Sequence, residues 1–113
     1  MFNFEEPLVP QVSAELVKKA LDINESCVLL DVRTPGEFAR GKIAGAINMP
    51  VDEIVEKVNS RLTDKLATIY VYCLSGSRSV YAVEAMRQLG YKNVFNLTSG
   101  LLAWRMEKFP LVA

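Results

Sequence analysis

The chain has no histidine among its 113 residues. That one absence removes a Cys–His dyad, a Ser–His–Asp triad and an HExxH zinc site, so any nucleophile must be activated by something other than an imidazole. Cysteine is scarce as well. Cys27 and Cys73 stand far apart with no CxxC pair, which is not the pattern of a disulfide scaffold. Neither sign of charge prevails: thirteen basic residues balance thirteen acidic ones, with no block of like charge. The basic footprint that nucleic acid requires is therefore missing. No stretch approaches the roughly 20 apolar residues of a membrane span. The opening Met-Phe-Asn-Phe-Glu-Glu-Pro has neither the basic region nor the long apolar region of a secretory signal. The expectation is a cytoplasmic protein whose thiols stay reduced, with no membrane or nucleic-acid partner.

What is present suits a folded domain. Half of the residues are hydrophobic, and a chain of this length buries roughly two-thirds of its unfolded surface, enough for one core without staples. One domain is expected over 1–113, with residues 1–12, which include Pro7 and Pro10, as an extended N-terminal arm feeding a very short strand. Ser13 is a good N-cap for a helix over Ala14 to Leu21, where Leu16, Val17, Ala20 and Leu21 share a face. The apolar run from Cys27 to Val32, broken only by Asp31, suits a strand buried on both faces. Thr34-Pro35 opens a short helix through Phe38 as N-cap and first-turn proline. A short strand over Ala46 to Pro50 follows, and Asp52 reads as the cap of a helix to Arg61. Next come a strand over Ile69 to Tyr72, a helix from Ser77 to Leu89 closed by Gly90, a strand over Val94 to Leu97 and a helix from Leu101 to Lys108. Strands alternating with helices predict an α/β domain with a mostly parallel sheet.

Chemistry is expected where the strand ending at Tyr72 meets Cys73-Leu74-Ser75-Gly76-Ser77-Arg78-Ser79. Ligands of open α/β sheets bind beyond the carboxyl ends of the strands, and Cys73 sits at such an end. Gly76 permits positive φ, so the amides from Leu74 to Ser79 can curl into a nest aimed at the sulfur, beside the start of the next helix. Such surroundings lower a cysteine pKa from about 8.5 toward neutrality, which yields a thiolate without a base. Arg78 adds a fixed positive charge, either to a substrate or to carbonyls and carboxylates that hold the loop. A free cysteine is commonly a small buried core residue. That is the reading of Cys27, which has no loop or cation beside it, and Met86, Tyr70 and Tyr72 read as core too.

The loop resembles the CxxGxRS active loop of the rhodanese sulfurtransferases. Leu30-Asp31-Val32-Arg33-Thr34-Pro35-Gly36-Glu37-Phe38 resembles that family's DVR…EF segment, and Gly41-Lys42-Ile43-Ala44-Gly45-Ala46-Ile47-Asn48-Met49-Pro50 its GHIPGAINIP. Ser99-Gly100-Leu101-Leu102-Ala103-Trp104 resembles its terminal GGxxAW. The motifs stand in family order across nearly the whole chain. The resemblance implies a rhodanese-like α/β fold, with a central mostly parallel five-stranded sheet flanked by helices on both faces. It implies a sulfurtransferase in which Cys73 takes a sulfane sulfur from thiosulfate or a persulfide and passes it, as a Cys73 persulfide, to a thiol or cyanide acceptor. Residues Leu74, Ser75, Gly76, Ser77, Arg78 and Ser79 would hold the persulfide, with Asp31 and Arg33 as a charged brace around the loop. No metal or organic cofactor is implied, and a sulfur-relay protein is a further candidate partner.

Two other readings bear on the same residues. Rhodanese-like phosphatases and arsenate reductases carry five residues between cysteine and arginine; here four separate Cys73 from Arg78, a cradle better sized for sulfur than for a tetrahedral oxyanion. Non-catalytic rhodanese modules lose the loop cysteine, which this chain keeps. Lys42 and Ala44 replace the family's usual histidine and proline, which is expected to alter a supporting contact rather than the sulfur step. Apart from Arg78 the loop is neutral, which favours a persulfide or protein-bound donor over dianionic thiosulfate. Leu74 and the region of Tyr81 offer an apolar surface to a partner protein.

Overall fold

A computed structural model of the chain describes residues 6–113. The elements follow in the order β1 (Gln11–Val12), α1 (Ala14–Asp22), β2 (Val28–Asp31), α2 (Pro35–Ala39), β3 (Ile47–Asn48), a 3-10 turn (Val51–Glu53), α3 (Ile54–Arg61), β4 (Thr68–Tyr72), α4 (Ser77–Gln88), β5 (Asn93–Leu97) and α5 (Gly100–Met106). The five strands form one sheet in the order β1-β5-β4-β2-β3. Every pairing is parallel, so the expected mostly parallel sheet is wholly so.

Alternation along the strands divides the core between two faces. Leu30, Ile69, Val71 and Val94 pack with Ile54 and Val58 of α3 and with Ala82, Val83 and Met86 of α4. Leu29, Tyr70, Tyr72 and Leu97 turn the other way, onto Ala14, Val17 and Ala20 of α1 and Leu101 and Trp104 of α5. The central strands are covered on both sides, which is why they read as continuous apolar runs. Cys73, one residue past β4, belongs to the α3–α4 face.

Local signals account for most boundaries. The Ser13 hydroxyl accepts from the Leu16 amide at 3.1 Å. Thr34 and Glu37 form a reciprocal capping box, with Pro35 at the first helical position of α2. Two expectations need correction. Asp52 caps nothing: it lies inside the 3-10 turn, and α3 begins after it without a side-chain cap. The last helix stops at Met106 because Lys108 turns into the left-handed region at φ +58. Of the arm expected over residues 1–12, residues 1–5 lie outside the described residues, and the very short strand it was expected to feed is β1, paired with β5.

Candidate active site around Cys73

The β4–α4 loop is built around one glycine. Gly76 stands at φ +96, and a Cβ there would meet the Ser99 amide nitrogen at 3.1 Å. Only glycine combines that dihedral with that approach. The turn it makes folds the chain back so that the Gly76 amide donates to Cys73 Sγ at 3.1 Å, while the Ser79 hydroxyl lies 3.4 Å from the same sulfur. Cys73 is fully buried. Burial pushes its thiol pKa up, but the Ser79 hydroxyl and the amides of Ser79, Gly76 and Arg78 pull it down further, and the net shift is downward. Of the amides expected to form a nest, that of Gly76 is hydrogen-bonded to the sulfur, and those of Arg78 and Ser79 also favour its anionic form. Cys27 behaves oppositely: burial and the nearby Glu25 carboxylate push its thiol up.

Arg78 is bonded to a carboxylate rather than to the sulfur. Its guanidinium forks onto Glu37 of α2, Nη1 to Oε1 at 2.7 Å and Nη2 to Oε2 at 3.0 Å. Of the two roles open to Arg78, holding a carboxylate is the one observed. Chiefly through that pairing, and secondly through the Thr34 amide, Glu37 is held down at about 2. Glu37 of α2 is the partner of Arg78 that sequence reasoning missed; the Thr-x-x-Glu spacing and the EF of the DVR…EF segment both mark it, but neither says anything of Arg78.

Asp31 and Arg33 are buried and paired at 2.7 Å. Their brace, however, serves the segment after α2. Arg33 Nη2 donates to the Gly41 carbonyl at 2.6 Å, and the Asn48 side-chain amide donates to the carbonyls of Asp31 and Arg33. Neither side chain is hydrogen-bonded to residues 73–79 among the described residues. Lys42 and Val112 exchange backbone bonds at 2.8 Å, and the Lys42 ammonium lies over the Phe38 ring at 4.6 Å, so the position of the family's histidine serves the C-terminal tail.

On the opposite flank of the loop lies a cavity of about 260 Å³. Its polar lining comes from Gln11, Ser75, Ser77, Asn96, Thr98 and Ser99, with Glu6 as its one charged side chain. From above, α5 clamps the loop: the amides of Leu101 and Leu102 donate to the carbonyls of Cys73 and Leu74, both at 3.0 Å. Gly100 makes this possible, since a Cβ on it would lie 2.3 Å from the Cys73 carbonyl oxygen.

A model of the rhodanese-like domain matches residues 13–107. The chain belongs to the rhodanese-like family. A sulfurtransferase of Allochromatium vinosum is 34% identical over 106 residues, covering 94% of this chain and 97% of that protein. A putative sulfur carrier protein of Bacillus subtilis, YrkF, is 33% identical over 85% of this rhodanese, which spans only 51% of that longer protein. Among solved structures, the rhodanese-like domain of the Alr3790 protein from Anabaena superposes with a TM-score of 0.85 at 33% identity, covering 94% of this chain and 80% of that one. Family and relatives together support sulfur transfer by this rhodanese. No helix among the described residues is long and apolar enough to cross a membrane.

Proposed function

We propose that this rhodanese moves a sulfane sulfur through a persulfide on Cys73, with a persulfide rather than thiosulfate as the preferred donor. The observation that carries the reading is the sulfur's own setting: a buried Sγ held by the Gly76 amide and the Ser79 hydroxyl at the mouth of α4. The Cys73 thiolate attacks the outer sulfur of R–S–SH. A new S–S bond forms, the donor's S–S bond breaks, and R–S⁻ leaves, so charge is conserved. An acceptor thiolate or cyanide then attacks the outer sulfur of Cys73–S–SH and returns Cys73 to its starting state. The amides that hold the thiolate also favour negative charge on a persulfide formed there.

The donor preference follows from Arg78. Its guanidinium is committed to Glu37, and Leu74, Ser75 and Ser77 bring no charge, so a dianion gains little at this loop. The enclosed sulfur and four-residue loop disfavour a tetrahedral phosphate. Leu74 and Tyr81, 37% and 52% exposed, would face a carrier protein, in keeping with the likeness to a putative sulfur carrier.

Intact-mass measurement after incubation with glutathione persulfide or thiosulfate, beside Cys73→Ser, tests the reading. Expected is a gain of one sulfur atom, larger with the persulfide, removed by cyanide and absent from the variant. No gain from either donor on folded, reduced protein would point instead to a module that binds without chemistry. A larger gain from thiosulfate would overturn the donor preference alone.

A further inference from the structure

A chain of side-chain hydrogen bonds runs from Cys73 to the edge of the sheet. Ser79 Oγ lies 3.4 Å from Cys73 Sγ and donates to Asn96 Oδ1. Asn96 Nδ2 donates to Gln11 Oε1 at 2.9 Å, and the Thr98 hydroxyl donates to the same oxygen at 2.8 Å. The parallel pairing of Gln11 with Asn96 across β1 and β5 sets the last links side by side. Ser79 and Asn96 are buried, and Asn96, Gln11 and Thr98 line the cavity beside the loop.

The direction of this chain has a consequence. A serine hydroxyl holds one proton. With that proton on Asn96 Oδ1, the Ser79–Cys73 bond exists only if the thiol donates to Ser79 Oγ. The observed arrangement is thus that of the neutral thiol. An anionic sulfur has no proton to give and needs the one on Ser79. Ser79 Oγ would then confront Asn96 Oδ1 with lone pairs on both sides, which low-dielectric surroundings penalise. Exchanging the ends of the Asn96 amide removes the conflict: Nδ2 donates to Ser79 Oγ, and Ser79 donates to sulfur. Asn96 Oδ1 then requires a donor, which Gln11 supplies by presenting Nε2.

We propose that Asn96 and Gln11 are positioning residues for the Cys73 sulfur, acting through Ser79: their amides reverse together as the sulfur changes between neutral and anionic forms. No proton is carried along the chain; the thiol proton leaves to solvent, and only amide and hydroxyl rotations accompany it. The proposal rests on Cys73 working as a thiolate. Other charges near the sulfur are Arg78 on α4 with its partner Glu37, and the Asp31–Arg33 pair at the end of β2. Strand β5 has no titratable residue, the one on α5 is the exposed Arg105, and Glu6 lies across the cavity.

Gln11→Glu tests it, because a carboxylate accepts but cannot donate and so locks Asn96 Nδ2 toward β1. The readout is the pH midpoint of Cys73 thiolate formation, followed by its ultraviolet absorbance against a Cys73→Ala reference, which needs no sulfur donor. Failure here is therefore distinguishable from failure of sulfur transfer itself. Expected is a rise of about one pH unit, roughly tenfold less thiolate at a given pH. In a Ser79→Ala background the effect of Gln11→Glu should shrink to a few tenths, about what a surface charge exerts through space. Gln11→Met, neutral and unable to anchor Asn96, should leave the midpoint unchanged or lower. Equal shifts with and without Ser79 would overturn the proposal, as would a rise in Gln11→Met matching that of Gln11→Glu.

Discussion

Replacing Glu37 by Gln separates charge from shape at the Arg78 bridge. Gln fills the same volume and is itself a good third residue of a capping box, so the Thr34 cap survives. What disappears is the carboxylate under the forked guanidinium. A carboxylate held at about 2 instead of 4.5 sets a ceiling of about 3 kcal/mol on the stabilisation. The side chains are 28% and 36% exposed, and solvent screening reduces the expected loss at neutral pH to about 1 kcal/mol. The sign of the pH dependence follows from the depressed folded-state pKa. The unfolded chain takes up its proton first as pH falls, so the bridge's contribution is complete above about 4.5 and is lost toward about 2. Urea unfolding of both proteins at stepwise lower pH should therefore show Glu37→Gln less stable at pH 7, with the gap closing through that window. Every other carboxylate is common to the two chains and cancels in the difference. No gap at neutral pH, or a gap that persists unchanged on acidification, would refute the ionic reading of this contact.

Two further substitutions probe the frame of the loop. Gly100→Ala drives a methyl group to 2.3 Å from the Cys73 carbonyl oxygen; α5 must withdraw, and a loss of about 3 kcal/mol is expected, seen as a fall in melting temperature of about 10 °C or more. Unchanged stability would mean that α5 does not clamp the loop. Asp31→Leu strands the buried Arg33 without its partner and should cost about 3–5 kcal/mol in urea unfolding, whereas the double substitution Asp31→Leu with Arg33→Met should recover most of it. A double variant as unstable as the single one would show that the brace on the Gly41 carbonyl, rather than the ion pair, carries the effect.

The alternation of strands and helices was legible because each central strand is covered on both faces and each helix has a polar side. Cys73, Gly76 and the start of α4 were legible because a strand end, a glycine and a helix start are local events. Partners distant in sequence were not. Glu37 meets Arg78 only because β2 and β4 are adjacent and parallel, which brings their carboxyl ends together across 41 residues. Gln11 was invisible for a different reason: a two-residue strand carries no periodicity, and its register against Asn96 is a tertiary fact. The brace of Asp31 and Arg33 was recognised as charged, but its object, the Gly41 carbonyl, is a backbone group, and the motif that begins there says nothing of its partner. The family's paired glycine reads Ser99-Gly100 here. Ser99 adopts φ +60 at a cost of about 1–2 kcal/mol, whereas no side chain fits at Gly100.

The two cysteines show how a chain without histidine depresses one thiol and not the other. Both are pushed toward the neutral form by burial, so burial alone cannot distinguish them. Cys27 has a carboxylate nearby, which adds to the penalty. Cys73 has three backbone amides and a hydroxyl directed at its sulfur, which reverse it. The amides are neutral dipoles fixed by the Gly76 turn and need no reorganisation when charge arrives or departs; only the Ser79 hydroxyl has to turn. A lysine or arginine at the sulfur would also hold a thiolate, but it would bind the persulfide anion as an ion pair and resist release of the sulfur to an acceptor. Committing Arg78 to Glu37 keeps the cation one step away. If Cys73 carries sulfur as proposed, the charge is then held by neutral donors rather than by an ion pair, which leaves the loaded form easier to discharge to an acceptor.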